Sequence, residues 1–211
     1  MFSLKSLSAL FLVPVALLAA PINPGSCDTS KAVMDLPAGK TTLVSPAVPP
    51  TYVTLGVGVQ NYTCSDTSTY TSVGAVASLF DITCLMNNFN FASIQTRAFA
   101  FWNESSQGYK THRYQQHYFI TNPSGAGLSP KWDFTSSTGD ASAFVVAAKV
   151  GDVPAPSDSS TNVDWLSLNR VDGDLATQIF RVDTVGGQPP SSCVPGSGLI
   201  SVKYISRYYL Y

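Results

Sequence analysis

The chain reads as an all-β protein, a single-domain β-sandwich or barrel with room for one or two short helices. Three observations point there. Short runs rich in Val, Ile, Thr, Tyr and Phe recur along the 211 residues. Clusters of Gly, Pro, Asn and Asp separate them, as turns separate strands. No amphipathic stripe longer than about three helical turns interrupts them, and no repeat of fixed period is visible.

The elements follow in order. Lys5 and the apolar run Leu7 to Leu18, ending on Ala19 and Ala20, form a secretory signal over residues 1–20, too short for a comfortable membrane span. The remaining chain, 21–211, is one secreted β domain whose first part, 21–50, is a Pro-rich, irregular strap. Tyr52 to Cys64 is a strand, and Gly56 and Gly58 inside it mark a bulge or a close neighbour. Val73 to Thr83 is an apolar run that fits a buried strand or a short helix. Phe89 to Trp102 carries Phe at 89, 91, 99 and 101 and follows neither period cleanly.

Tyr114–Thr121, Lys131–Phe134 and Ala143–Val150 read as further strands. Val153 to Ser157, with two prolines, is an extended link without regular pairing. Val163 to Leu168 fits a strand or a short helix, and Asp172-Gly173-Asp174 a turn. Thr177 to Thr184 alternates, with Ile179 and Arg181 on one face and Phe180 and Val182 on the other. Leu199 to Tyr211 closes the chain as a long strand, with Val202, Tyr204, Tyr208 and Leu210 on one face.

Composition narrows the partners. Charged residues are 12% of the chain, about half the usual share of roughly 25%. Loss of the signal with Lys5 moves the formal net charge from −1 to −2. No run of either sign exists, so neither nucleic acid nor, after signal cleavage, a membrane is an expected partner. About 190 residues are enough for one domain to bury roughly 70% of its unfolded surface, and a monomer is expected.

Cys27, Cys64, Cys84 and Cys193 all lie beyond the signal. An even count in an oxidising compartment indicates two disulfides, and four cysteines allow three pairings. There is no Cys-x-x-Cys, and neither histidine stands near a cysteine pair, so no metal or other cofactor is implied. Asn61-Tyr62-Thr63 and Asn103-Glu104-Ser105 are glycosylation sequons, Asn103 in a polar loop and Asn61 on a strand; proline blocks Asn122-Pro123-Ser124.

Catalytic signatures are missing. There is no Gly-x-Ser-x-Gly elbow, His-Glu-x-x-His or phosphate loop. His112 and His117 lie five apart and face opposite sides of a strand. Four residues stand out as candidate ligand contacts. Trp132 and Trp165, like Trp102, would stack on sugars if exposed and fill the core if not. His117 is an edge-of-core residue or a general base. Arg181, in a mostly apolar strand, needs a buried partner or lines a pocket.

An ordered set of segments carries a family resemblance: Gly58 to Cys64, Ala77 to Asp81, His117-Tyr118-Phe119, Lys131 to Phe134, Val163 to Leu166, Arg181 to Pro190 with Cys193, and the tyrosine-rich Tyr204 to Tyr211. Together they resemble a family of secreted fungal and bacterial proteins whose domain has no assigned function, many fungal members being labelled malate dehydrogenase. The resemblance covers about residues 35–211. It implies that Cys64 bonds Cys193, because bacterial relatives keep only the matching pair, and leaves Cys27 with Cys84 as a fungal addition. Near His117 the chain departs from the bacterial pattern, in which Gly-Pro precedes the tryptophan matched by Trp132. The dehydrogenase label is rejected: the chain has no phosphate-binding glycine turn and no alternation of strand and helix.

The favoured reading is a non-catalytic, secreted, disulfide-bonded glycoprotein that binds carbohydrate or a cell-wall component. The alternative is an extracellular hydrolase using Asp and His residues, among them Asp81, Asp133 and His117, in a cleft near Trp132 and Arg181.

Overall fold

The structure is a computed structural model that describes residues 27–39, 42–104 and 115–211. The expected signal segment and His112 lie outside them. Eight strands run in chain order: β1 (Tyr52–Cys64), β2 (Tyr70–Asp81), β3 (Gln116–Thr121), β4 (Leu128–Asp133), β5 (Phe144–Val153), β6 (Trp165–Asp172), β7 (Gln178–Gly186) and β8 (Ile200–Leu210). Each pairs antiparallel with the next, and β8 returns to β1 with Tyr52 opposite Leu210 and Tyr62 opposite Ile200. The sheet is therefore a closed barrel and not a sandwich. Closure satisfies both edges of the sheet, which an open sheet would have to shield.

Bulges help the sheet curl. One extra residue on β2, Val73, falls between the partners of Asn61 and Tyr62, and Asp183 and Thr184 bulge from β7 between Val182 and Val185. Gly58 marks a close neighbour: a Cβ there would come within 2.1 Å of the Val76 carbonyl oxygen and 2.5 Å of the Ala77 Cα. Gly56 has the same role toward the Tyr208 ring, at 2.5 Å. The run from Val73 is strand, not helix, and so is Val163 to Leu168 from Trp165 onward. Val153, expected in the unpaired link, ends β5 opposite Trp165.

Two apolar clusters share the barrel wall. The inner one fills the lumen with Trp132, Phe134, Val145, Ile179, Tyr204 and Tyr208. The outer one, with Val53, Phe180, Val182, Ile205 and Tyr209, lies under the strap and under helix α1 (Ile94–Glu104). The neighbouring strands β7, β1 and β8 are thus covered on both faces. Every residue from Tyr204 to Leu210 is buried for this reason, and both faces of that strand had to be apolar or hydrogen-bonded. Ser206 donates to the Val182 carbonyl at 3.0 Å. Arg207 pairs with Asp183 at 2.8 Å and lies over the Phe91 ring.

Helix α1 resolves the ambiguous stretch. Ile94, Ala98 and Trp102 recur every four residues and face the outer cluster, while Phe101 points to solvent. The paired phenylalanines obscured this spacing. Asn103, expected in a loop, is an exposed residue of the last turn of α1. A second, four-residue helix, α2 (Thr135–Thr138), ends on Gly139 in the left-handed conformation at φ 71°.

The strap crosses the outer cluster through buried Met34 and Leu43. Thr42 donates its hydroxyl to the Asp152 carbonyl at 3.0 Å and accepts at its own carbonyl from Ser167 at 3.3 Å. Cys27 bonds Cys84 and Cys64 bonds Cys193, the pairing that the family resemblance implies.

Candidate functional site

The two ends of the barrel differ. At the end holding the β2–β3, β4–β5 and β6–β7 connections, large rings plug the lumen. Tyr52 meets Phe134 edge-on at 5.1 Å, and Trp132 meets Tyr208 at 5.4 Å. The opposite mouth, ringed by the other four connections, holds a cavity of about 510 Å³, within the range of small-molecule sites. The Cys64–Cys193 bridge joins the β1–β2 turn to the β7–β8 connection at this mouth. Beside it, Tyr62 donates its hydroxyl to the Gly187 carbonyl at 2.8 Å.

Strand alternation builds the cavity wall. On β1, Gln60 and Tyr62 follow Gly56 and Gly58 on the inward face; on β7, Arg181 follows Ile179; β3 contributes Phe119. Leu166 and Leu168 of β6 supply apolar wall, and Asp164 stands at its entry. A Cβ on Gly74, whose φ is +115°, would come within 3.0 Å of the Phe119 ring, so glycine there sets the position of that ring.

The polar groups are incompletely matched. Arg181 is half-buried, and its Nε and Nη2 both donate to the main-chain carbonyl of Asp164, at 3.1 and 2.9 Å. Among the described residues no carboxylate lies within 4.0 Å of it. Gln60 is 5% exposed, and its Nε2 has no hydrogen-bond partner. Two opposite charges reach Tyr62: burial raises its phenol above the usual range, Arg181 pulls it back, and Asp164 raises it further.

The four sequence candidates separate. Arg181 lines the cavity. Trp132 and His117 lie deeper, stacked with ring centroids 4.4 Å apart, and neither lines it. Trp165 faces outward into the second cluster. At 9%, 1% and 7% exposure, Trp102, Trp132 and Trp165 are core residues, and none is an open platform for a sugar.

The Asp and His residues of the hydrolase alternative do not converge. His117 donates Nδ1–H to the Lys131 carbonyl at 3.0 Å. Burial, reinforced by the charge of Arg181 and opposed by that hydrogen bond, holds its pKa down at about 3. It is neutral at physiological pH. Asp133 lies on the other face of its strand, bound to Lys131 at 2.9 Å and to the Tyr118 hydroxyl at 2.8 Å. Burial would raise its pKa, but hydrogen bonds from Thr135, Lys131 and Tyr118 outweigh that and hold it at about 2. Asp81 accepts from the Thr83 amide at 2.9 Å, capping a turn.

Gln60, Tyr62, Phe119 and Asp164 were not singled out as contacts by sequence. The signal for the first two was available in the shared face of Gly56, Gly58, Gln60 and Tyr62, where a Gln follows two glycines on the crowded side of a strand. Among the described residues no group of three or more His, Cys, Asp or Glu is placed to hold a metal ion, and no helix is long and apolar enough to cross a membrane.

Fold and cavity define the class: a closed, eight-stranded, up-and-down barrel with a ligand-sized cavity at one mouth. The chain belongs to the family described as a protein of unknown function, DUF3455, whose model matches residues 45–211. The match includes Cys64 and Cys193 but begins after Cys27. No curated protein and no solved structure matches the chain.

Proposed function

We propose that this chain is a non-catalytic extracellular binding protein that holds one small saccharide in the mouth of its barrel. The observation that carries the reading is the mouth cavity of about 510 Å³, in which an aromatic ring, Phe119, stands among the planar polar side chains of Gln60, Asp164 and Arg181. Sugars present C–H faces to a ring and hydroxyls to amide, carboxylate and guanidinium groups, so this mixture suits them. The ligand therefore meets the lumen and not the three tryptophans. Two disulfides support an oxidising compartment and hence secretion. Asn103, exposed on α1, and Asn61, on the outer face of β1, are the proposed glycan attachment points, both away from the lumen.

A glycan array and a cell-wall pull-down test the reading, with Phe119→Ala compared against Phe101→Ala. Retention that falls at least tenfold in Phe119→Ala and persists in Phe101→Ala is the expected result. Absence of retention on every glycan and wall fraction would sink it.

A further inference from the structure

We infer that the ligand of the mouth cavity is a sugar acid, a small polyhydroxylated carboxylate of the uronate type. This rests on the saccharide reading of the same cavity and deepens it. The carboxylate binds at Arg181 and Gln60, and the hydroxyls bind at Asp164.

Charge matching is the first argument. The salt bridges of the described residues engage Lys131, Lys149, Arg170 and Arg207, but not Arg181. Arg181 is half-buried, yet its described hydrogen bonds go to one main-chain carbonyl, through Nε and Nη2, and leave Nη1 over. A guanidinium taken partly out of water without a counter-ion is poorly compensated by one neutral acceptor. The His117 ring beneath cannot supply the missing negative charge, because an imidazole is either neutral or cationic, and burial keeps this one neutral. A carboxylate bound to Nη1 restores the balance with a charge-assisted hydrogen bond.

The second argument is independent of Arg181. Gln60 lines the same cavity, is 5% exposed and leaves Nε2 without an acceptor. Buried donors of this kind are ordinarily satisfied by protein, water or ligand. Gln60 and Arg181 thus give the cavity a pole of spare donors.

Asp164 supplies the opposite pole. Its carboxylate belongs to a residue of the cavity wall, and among the described residues it accepts no hydrogen bond. Lys149, the other cation of the wall, is engaged by Asp152. A simple fatty acid would match Arg181 and leave Asp164 facing hydrocarbon. A neutral sugar would match Asp164 and leave Arg181 without a counter-charge. One carboxylate together with several hydroxyls satisfies both poles, and Phe119 and Leu166 receive the C–H face of the ring.

Calorimetric titration of the full disulfide-bonded chain tests this with galacturonate, glucuronate, their uncharged methyl esters, galactose and glucose. At least one uronate is expected to bind at least tenfold more tightly than its methyl ester and than the matching neutral sugar. Arg181→Gln should remove that preference while leaving residual neutral-sugar binding. The methyl-ester comparison uses the unaltered protein, so it stands even if the variant folds poorly. Neutral sugar or ester binding as tightly as the acid overturns the sugar-acid assignment and leaves the saccharide site in place. If neither acid nor neutral sugar binds, both readings fall together.

Discussion

His117 stacks on Trp132 with 20° between the ring planes, and its protonated Nδ1 faces the carbonyl of Lys131, the residue preceding that tryptophan. A neutral imidazole is thereby built into the aromatic layer that closes the lumen. In the unfolded chain the same ring takes its proton near 6.5, and in the fold only at about 3. Between those values the unfolded state binds the extra proton. The contribution is fully present above about 6.5 and is lost as the pH falls, by about 1.4 kcal/mol for each unit down to about 3. Urea unfolding at pH 7, 5 and 4 should show this slope, and His117→Gln should flatten it. A wild-type stability constant from pH 7 to 4 would contradict the placement of the ring. Asp133, also depressed, contributes its own loss only below about 3.8.

The bridge between Cys64 and Cys193 closes a separation of 129 residues. By the loop-entropy relation its removal costs about 5 kcal/mol, with about 2–5 the usual range for native bridges. The double variant Cys64→Ser, Cys193→Ser should lower the urea midpoint accordingly. It should also weaken ligand binding, since Tyr62 and Gly187 at the mouth lose their covalent brace. An unchanged midpoint in the double variant would count against the bridge.

Gly74 carries φ +115° and sits against the Phe119 ring. Gly74→Ala puts a side chain into backbone space it rarely adopts and a methyl 3.0 Å from that ring. A loss of roughly 1–3 kcal/mol is expected, together with a displaced Phe119 and weaker saccharide retention. Thermal unfolding and the glycan assay check the two effects separately. Full stability in the variant would show that the strand relaxes there at no cost.

Asp183 occupies φ 52°, a conformation asparagine also tolerates, and pairs with Arg207 in the outer cluster. The side chains are 16% and 9% exposed. Asp183→Asn keeps the backbone preference and removes only the charge, leaving Arg207 buried without its counter-ion. A destabilisation of about 3–5 kcal/mol is expected, read by urea unfolding at pH 7. A change within about 0.5 kcal/mol, the size of an ordinary surface substitution, would mean the pair is effectively solvated.

How much was legible varies from strand to strand for physical reasons. Where one face was clearly apolar and the other mixed, alternation placed the side chains correctly. Ile179 and Arg181 share the lumen face of β7, and Tyr204, Tyr208 and Leu210 share that of β8. In α1 the helical stripe Ile94, Ala98, Trp102 was masked by phenylalanines at other positions, because Phe101 is exposed and Phe91 packs from outside the helix. The tryptophans misled in a different way. Indole serves equally as platform or core, and only the covering strap and lumen packing decided for core.

The sequence by itself determined six of the eight strands, the shared faces of β7 and β8, and, through its resemblance to a family, the two cysteine pairs. These rest on local period and on covalent chemistry, which need no knowledge of distant neighbours. Tertiary structure alone decided that β8 closes onto β1, that β1, β7 and β8 are covered on both faces, and that Arg181 meets the carbonyl of Asp164 instead of a carboxylate. Those outcomes depend on contacts between residues far apart in the chain, and the candidate site exists only because closure turns one face of every strand toward a common lumen.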